Sequence, residues 1–337
     1  MQNLLRTQDS RHNIQDSLRP TFWILSLTAI LLLVAGCGDD EAKIRVGVSI
    51  SGIAHPDFAL IERAFNENAD KYGARIIYNK EGLTKLLEEG IDVLILNNSD
   101  PRDLESDVME THRKGIPVIM LDCLPPENLH VEAYITVNQF DAGKMAADYV
   151  VRKLDGTGKV IVLEGPGDDE ISRQITLGIY SILEKNESIK VVTNERHPGW
   201  DKELAADTVS STLKKYAGNV QAVIAGSSQL AMGAAQAVRE YGLADRITTA
   251  GIGADLETCK AIIAGTHDAE VDRMPYERGL EALNLAIAVA KDEEFEYHEE
   301  MGESDPKIKV RYGPLRLITE RNVSAMKSVW PELNNAR

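Results

Sequence analysis

Residues 92–121 read DVLILNNSDPRDLESDVMETHRKGIPVIML. Two short apolar runs, Asp92–Leu96 and Pro117–Leu121, flank a stretch of helical patterning over about Arg102–Lys114. A strand, a helix and a second strand at this spacing form a parallel crossover unit. The same rhythm extends outward in both directions. Toward the N-terminus, Arg45–Ile50 (RVGVSI) alternates β-branched residues at Val46, Val48 and Ile50. A helical pattern over Phe58–Tyr72, a strand at Arg75–Tyr78 and a short helix near Thr84–Glu89 follow. The rhythm restarts after Asn138. Its strands are Lys159–Leu163, Lys190–Thr193, Gln221–Ala225, Ile247–Ala250 and Ala269–Val271. Helices fall near Ala142–Leu154, Ile171–Lys185, Lys202–Tyr216, Gln229–Tyr241 and Leu256–Ala264. Two such series predict an α/β fold of two similar lobes, each a parallel sheet flanked by helices, not one very wide sheet.

The end of the chain suggests interlaced lobes. A long helix over Pro275–Lys291 follows the second series, and an apolar pair of strands, Lys309–Tyr312 and Leu315–Ile318, closes it. Between them Asp292–Asp305 (DEEFEYHEEMGESD) is acidic without an apolar period and reads as a solvated loop.

At 337 residues the chain allows two or three domains of roughly 100–200 residues each. The net charge of −16 repels phosphate backbones, so no nucleic-acid partner is expected. Three cysteines are too few for a disulfide framework. Cys259 reads as a small, half-buried apolar residue.

Residues 22–36 form an apolar run after a polar stretch carrying Arg6, Arg11 and Arg19. The run is short for a membrane span and suits the apolar region of a secretion signal. It ends in Val34-Ala35-Gly36-Cys37, which resembles the bacterial lipobox and makes Cys37 the expected lipidation site. Residues 1–36 are thus expected to be a lipoprotein signal peptide and 37–43 a tether. The expected location is the periplasm or cell envelope, anchored to membrane through the lipid.

Ligands of open parallel sheets sit outside the carboxyl ends of the strands. Collected there are His55, Asp57 and Phe58, then Asp122 and Cys123, then Arg173 one turn into a helix. Trp200, Ser227, Gly253 and Arg273 follow the later strands. Carboxylates and guanidiniums bind vicinal hydroxyls or anions, and rings cover the apolar faces of a sugar. The mixture suits a polar, unreactive small molecule.

Several segments together resemble the periplasmic ribose/galactose-type sugar-binding proteins, a family that shares its core with lac-repressor effector domains. They are VGVSISGIAHPDF (46–58), GIPVIMLD (115–122), VNQFDAGKMAADYV (137–150), KVIVLEGP (159–166) with the later Arg173 and Gly178, AVIAGSSQLAMGAAQAV (222–238) and PLRLITERNV (314–323). The resemblance covers nearly all of residues 43–325. It implies a type 1 periplasmic binding protein fold, two Rossmann-like lobes joined by a three-strand hinge. The N-lobe is expected over 44–137 plus 274–312 and the C-lobe over 138–273 plus 313–330. Crossings fall near Thr136–Asn138, Asp272–Pro275 and Tyr312–Leu315.

Carried over, the resemblance implies a pocket of His55, Asp57, Phe58, Asp122, Cys123, Arg173, Trp200, Ser227, Gly253 and Arg273. Asp122 and Arg173 keep the family's sugar-hydroxyl binders, and Phe58 and Trp200 its aromatic covers. Asp57 stands where a second aromatic is common, Cys123 where an arginine often follows, Ser227 for a usual asparagine and Gly253 for a usual aspartate. Arg273 stands where glutamine is frequent and makes the C-lobe side more cationic. Either an anionic sugar derivative partners it, or it pairs internally with Asp272, Asp57 or Asp122.

The implied function is capture of a sugar or sugar-like solute for an inner-membrane ABC permease. The alternative is presentation of that ligand to a membrane sensor. A monomer without cofactor, metal or enzymatic activity is expected. Gly156–Lys159 (GTGK) precedes a strand and lacks the phosphate-loop Ser/Thr. Gly251-Ile252-Gly253 lacks a third glycine. His55 and His197 are poor metal candidates, and no nucleophile elbow is present. Glu164–Glu170 (EGPGDDE) is acidic but lacks calcium-loop spacing.

Overall fold

The computed structural model describes residues 43–50, 56–98, 100–126, 128–303 and 306–335. Cys37 and all of its tether but Lys43 lie outside these residues, as does His55. The segment 92–121 folds as strand β3 (Val93–Asn97), helix α3 (Pro101–Arg113) and strand β4 (Val118–Leu121). Asp100 starts the helix by accepting the Arg102 N–H, and Pro101 takes the first helical position, where an N–H is not needed. β3 and β4 pair in parallel and are buried throughout, which explains their unbroken apolar runs.

Around this unit lie β1 (Ile44–Ile50), α1 (Pro56–Asn68), β2 (Ala74–Tyr78), α2 (Leu83–Glu88) and β5 (Ala133–Val137). With β11 (Glu299–Met301) and β12 (Ile308–Gly313) they give a seven-stranded sheet of order β11-β12-β5-β4-β3-β1-β2. The second sheet contains β6 (Gly158–Glu164), β7 (Ile189–Arg196), β8 (Ala222–Ala225), β9 (Thr248–Gly253), β10 (Ala269–Asp272) and β13 (Arg316–Thr319). Its order is β13-β10-β9-β8-β6-β7. The helices of this half are α4 (Gln139–Lys153), α5 (Glu170–Leu183), α6 (Lys202–Lys215), α7 (Ser228–Glu240) and α8 (Leu256–Ile263). α9 (Pro275–Ala290) follows β10.

The two halves share one plan, since β2-β1-β3-β4-β5 repeats as β7-β6-β8-β9-β10. All pairings in these series are parallel. β11 and β13 join antiparallel. Each sheet is covered on both faces by apolar clusters, one pair centred on Ile95 and Leu94, the other on Val162 and Ile161.

The chain passes from one sheet to the other three times. β5 belongs to the first sheet, and α4, capped by Asn138, packs under β9 and β10. β10 belongs to the second sheet, and α9 returns to pack on α1 and the first. β12 and β13 lie in different sheets, with Pro314 and Leu315 between them.

The closing strands divide between the two sheets. Three readings change. The acidic stretch 292–305 is not all loop, because Glu299–Met301 pairs with β12. Tyr312 Oη donates to Glu299 Oε1 at 2.6 Å and helps hold this edge. A strand of three residues, two of them exposed, has too few apolar positions to show a period. β5 (AYITV) was not read as an element, and it is buried throughout. Cys259 is fully buried, not half-buried, under the C-terminal residues Met326 and Leu333.

Candidate functional site

The site grows from the ends of β1, β4 and β10. Asp57 opens α1 after β1. Asp122 follows β4 in a left-handed conformation (φ 57°), which turns the chain sharply beyond the sheet. Arg273 follows β10 at a crossing between the sheets. Arg278 stands in the first turn of α9, and only 2% of it is exposed.

These four side chains interlock. Arg278 Nε donates to Asp122 Oδ2 at 3.0 Å, and Nη1 donates to the Arg273 carbonyl at 2.7 Å. Its Nη2 lies 3.5 Å from Asp57 Oδ2. Arg273 Nη2 reaches the same Asp57 oxygen at 3.2 Å. Burial pushes the Asp122 carboxyl above its ordinary value, and Arg278 pulls against that shift. Burial opposes the charge of Arg278, yet Asp122 and Asp57 outweigh it and hold the guanidinium above its ordinary value.

Two adjoining chambers meet at Asp57, Ile171 and Arg273. The smaller, about 180 Å³, is lined by Phe58, Asp122 and Arg278. The larger, about 570 Å³, is lined by Trp200, Ser227, Ser228, Gly253 and Asp255. This size suits a small organic molecule. Asp57, on α1 of the first half, faces it together with residues of the second half.

The Trp200 indole is seated on glycine. A Cβ on Gly165 would stand 2.3 Å from the ring, and one on Gly226 3.2 Å from it. Trp200 N donates to the carbonyl of His197, which is itself buried between the Glu164 carbonyl and Thr208 Oγ1. His197 therefore anchors the ring-bearing turn. Ser227 caps α7 by accepting the Leu230 N–H. Asp255 caps α8 by accepting the Thr258 N–H, and burial raises its carboxyl above the ordinary value. No group of three or more His, Cys, Asp or Glu residues is arranged for a metal ion among the described residues.

Asp57, Phe58, Asp122, Trp200, Ser227, Gly253 and Arg273 thus meet at one cavity. Two expected residues do not. Arg173 is half exposed and ion-paired with Glu170 on its own helix. Ile171 and Ile175, four apart, point α5 into the cleft. Arg173, two residues from Ile171, lies about 200° around the helix. Cys123 turns into the core below β3, where Sγ donates to the Leu96 carbonyl, and burial raises the thiol to about 12. Of the two alternatives for Arg273, the internal pair is the one present, and its partner is Asp57. Asp272 is engaged elsewhere, by Arg316 at 2.7 Å.

The residue that sequence reading missed is Arg278. A signal existed: Arg278, Ala282, Leu285 and Ala286 share helical spacing, and all four are buried. An arginine inside an apolar stripe needs a buried carboxylate partner.

A family model described as a periplasmic binding protein domain matches residues 46–294. The D-xylose-binding periplasmic protein of Haemophilus influenzae is 23% identical over 290 residues, covering 82% of this chain and 86% of that one. The D-allose-binding periplasmic protein of Escherichia coli is 26% identical over 263 residues, covering 75% and 78%. Among solved structures, an ABC transporter periplasmic solute-binding protein from Actinobacillus succinogenes with bound D-allose superposes with a TM-score of 0.71 at 18% identity, over 84% of this chain and 100% of that one. A Bacillus halodurans solute-binding protein with bound myo-inositol gives 0.68 at 21% identity, over 87% and 100%.

Proposed function

The chain belongs to the periplasmic binding protein domain family, and from that premise we propose that it captures a neutral, hydroxyl-rich solute, a sugar or close analogue, for an ABC-type importer. The observation that carries the reading is that both arginines at the cleft are already matched by carboxylates, so neither is held in reserve for an anion. Asp57 and Asp122 are matched by Arg273 and Arg278. Carboxylates and guanidiniums held by one another offer fixed acceptors and donors to hydroxyl groups, and the further carboxylates Asp169 and Asp255 on the larger chamber disfavour an anion. Phe58 and Trp200 supply apolar ring surface at either chamber. The names of the relatives, which bind xylose and allose, point the same way.

In this reading the lobes are 44–137 with 274–312 and 138–273 with 313–330. A solute bonded to both favours their closed arrangement, and the three crossings bend. The protein binds its solute without transforming it. The same proposal places it in the periplasm as a monomer tethered by a lipid on Cys37, supported by the small residues Ala35 and Gly36 before that cysteine. Labelled palmitate should enter the wild-type protein and not Cys37→Ser.

A thermal-shift screen tests the main reading. D-ribose, D-xylose, D-allose and myo-inositol would be set against D-gluconate and ribose 5-phosphate. A binder at roughly 100 times its Kd stabilises by about 2.7 kcal/mol. A shift with a neutral member is expected. Shifts only with the anionic members, or none at all, would overturn the reading.

A further inference from the structure

Beneath the larger chamber lies a buried polar chain that none of the site residues above explains. Glu270, at the middle of β10, is fully buried. Its Oε2 accepts the Ser228 hydroxyl at 2.8 Å and the Ala254 backbone N–H at 3.0 Å. Its Oε1 lies 2.9 Å from His267 Nε2. His267 Nδ1 lies 2.7 Å from Thr249 Oγ1, and Asp268 Oδ2 accepts the Thr249 N–H at 2.8 Å. The strand opposite is shaped to admit the carboxylate, since a Cβ on Gly251 would stand 2.2 Å from Glu270 Oε1. Gly253 is shaped likewise for the serine, because a Cβ there would stand 2.3 Å from Ser228 Oγ.

Ser228 also lines the larger chamber. A hydroxyl has one proton and two lone pairs. Since the Ser228 proton is committed to Glu270, the oxygen has only lone pairs to offer the cleft. Its neighbour Ser227 is set the opposite way: its oxygen accepts the Leu230 N–H, which leaves its own proton to donate.

We infer that Ser228 is a ligand-contacting acceptor whose polarity is fixed by the buried Glu270, a positioning residue, and that this pair selects solutes presenting a hydroxyl or amine donor at that end of the cleft. The inference rests on the solute-binding reading of the cleft and adds the residue that sets one of its specificities. A site built to accept a hydrogen bond rejects an analogue lacking the donor, because the buried acceptor is then left unpaired. Glu270 acts through Ser228 and the Ala254 turn and does not reach the solute.

The test uses the purified full chain, calorimetry, and whichever of D-ribose, D-xylose, D-allose or myo-inositol binds, together with its monodeoxy and monofluoro analogues. A C–F group cannot donate a hydrogen bond. At one ring position, therefore, the deoxy and fluoro analogues are both expected to bind wild type about tenfold or more weakly than the parent. Ser228→Ala should weaken the parent and erase the discrimination at that position alone. Glu270→Ala frees the serine hydroxyl to rotate and donate, so the fluoro analogue should gain on the deoxy analogue there, a change that general loosening of the lobe does not produce. Full wild-type discrimination in Ser228→Ala overturns the inference, as does a fluoro analogue that binds wild type well at every position. If none of the four parents binds wild type, the solute-binding reading itself falls.

Discussion

Arg278 places three donors on two carboxylates and a carbonyl while almost wholly out of water. Removing one member of a buried charge group costs more than the group contributes as a whole, because the remaining charge stays unpaired. Arg278→Ala should therefore destabilise the protein by about 3–5 kcal/mol, read from denaturant unfolding, and abolish solute binding. Arg278 was not legible from residue type alone, as most arginines on helices are exposed. Arg173 illustrates the opposite failure: a residue placed by resemblance that the helix turns outward. Arg173→Ala should leave solute affinity unchanged and stability within about 0.5 kcal/mol, whereas Asp122→Ala should abolish binding. Asp122 also sets a pH dependence. Its carboxyl is held above the ordinary value by burial, so it gains its proton earlier on acidification than an exposed aspartate. A protonated Asp122 is a poorer acceptor for solute hydroxyls. Affinity should thus fall as pH is lowered through a range above 3.8, and Asp122→Asn should flatten that part of the profile in isothermal titration.

Among elements, α4 and α5 cross at the closest approach. A Cβ on Gly143 would stand 2.1 Å from the Ile175 carbonyl oxygen, and one on Gly178 2.0 Å from that of Phe140. Each glycine faces the backbone of the other helix, so a methyl group cannot be absorbed by a side-chain rotation. Gly178→Ala should cost about 1–3 kcal/mol by forcing the helices apart, and a thermal melt would show it. A Cβ on Gly156 would meet only Asn186 Oδ1, at an ordinary contact distance of 4.0 Å, but the residue sits at φ 72°; the cost of Gly156→Ala is backbone strain of about 1 kcal/mol, so the two variants separate packing from conformation. The elements were legible where apolar periods were long. β4, β8 and the first four residues of β3 are continuous apolar runs, and α3 is preceded by its cap, Asp100. β11 was not, because three residues, two of them exposed, carry no period and only pairing with β12 makes them a strand. The cleft was partly legible for a geometric reason. Strand ends in a parallel sheet fix which loops converge, as they did for Asp57, Asp122, Ser227 and Arg273. They do not fix which way a helix residue faces, and Arg173 and Arg278 are both helix residues.

At the scale of the molecule, the repeated strand order puts two sheets of like build on either side of one cavity, with three chain crossings as the connections between them. Asp57 and Arg273 close an ion pair at the junction of the two chambers, next to one of those crossings. A solute that bonds to both faces differs in affinity between the open and closed arrangements, and only that difference can shift the equilibrium. The direct measurement is small-angle X-ray scattering of the purified protein, with and without the neutral sugar that raises its melting temperature most. A smaller radius of gyration at saturation is the predicted result. An unchanged radius at full occupancy would contradict closure of the two lobes around the solute.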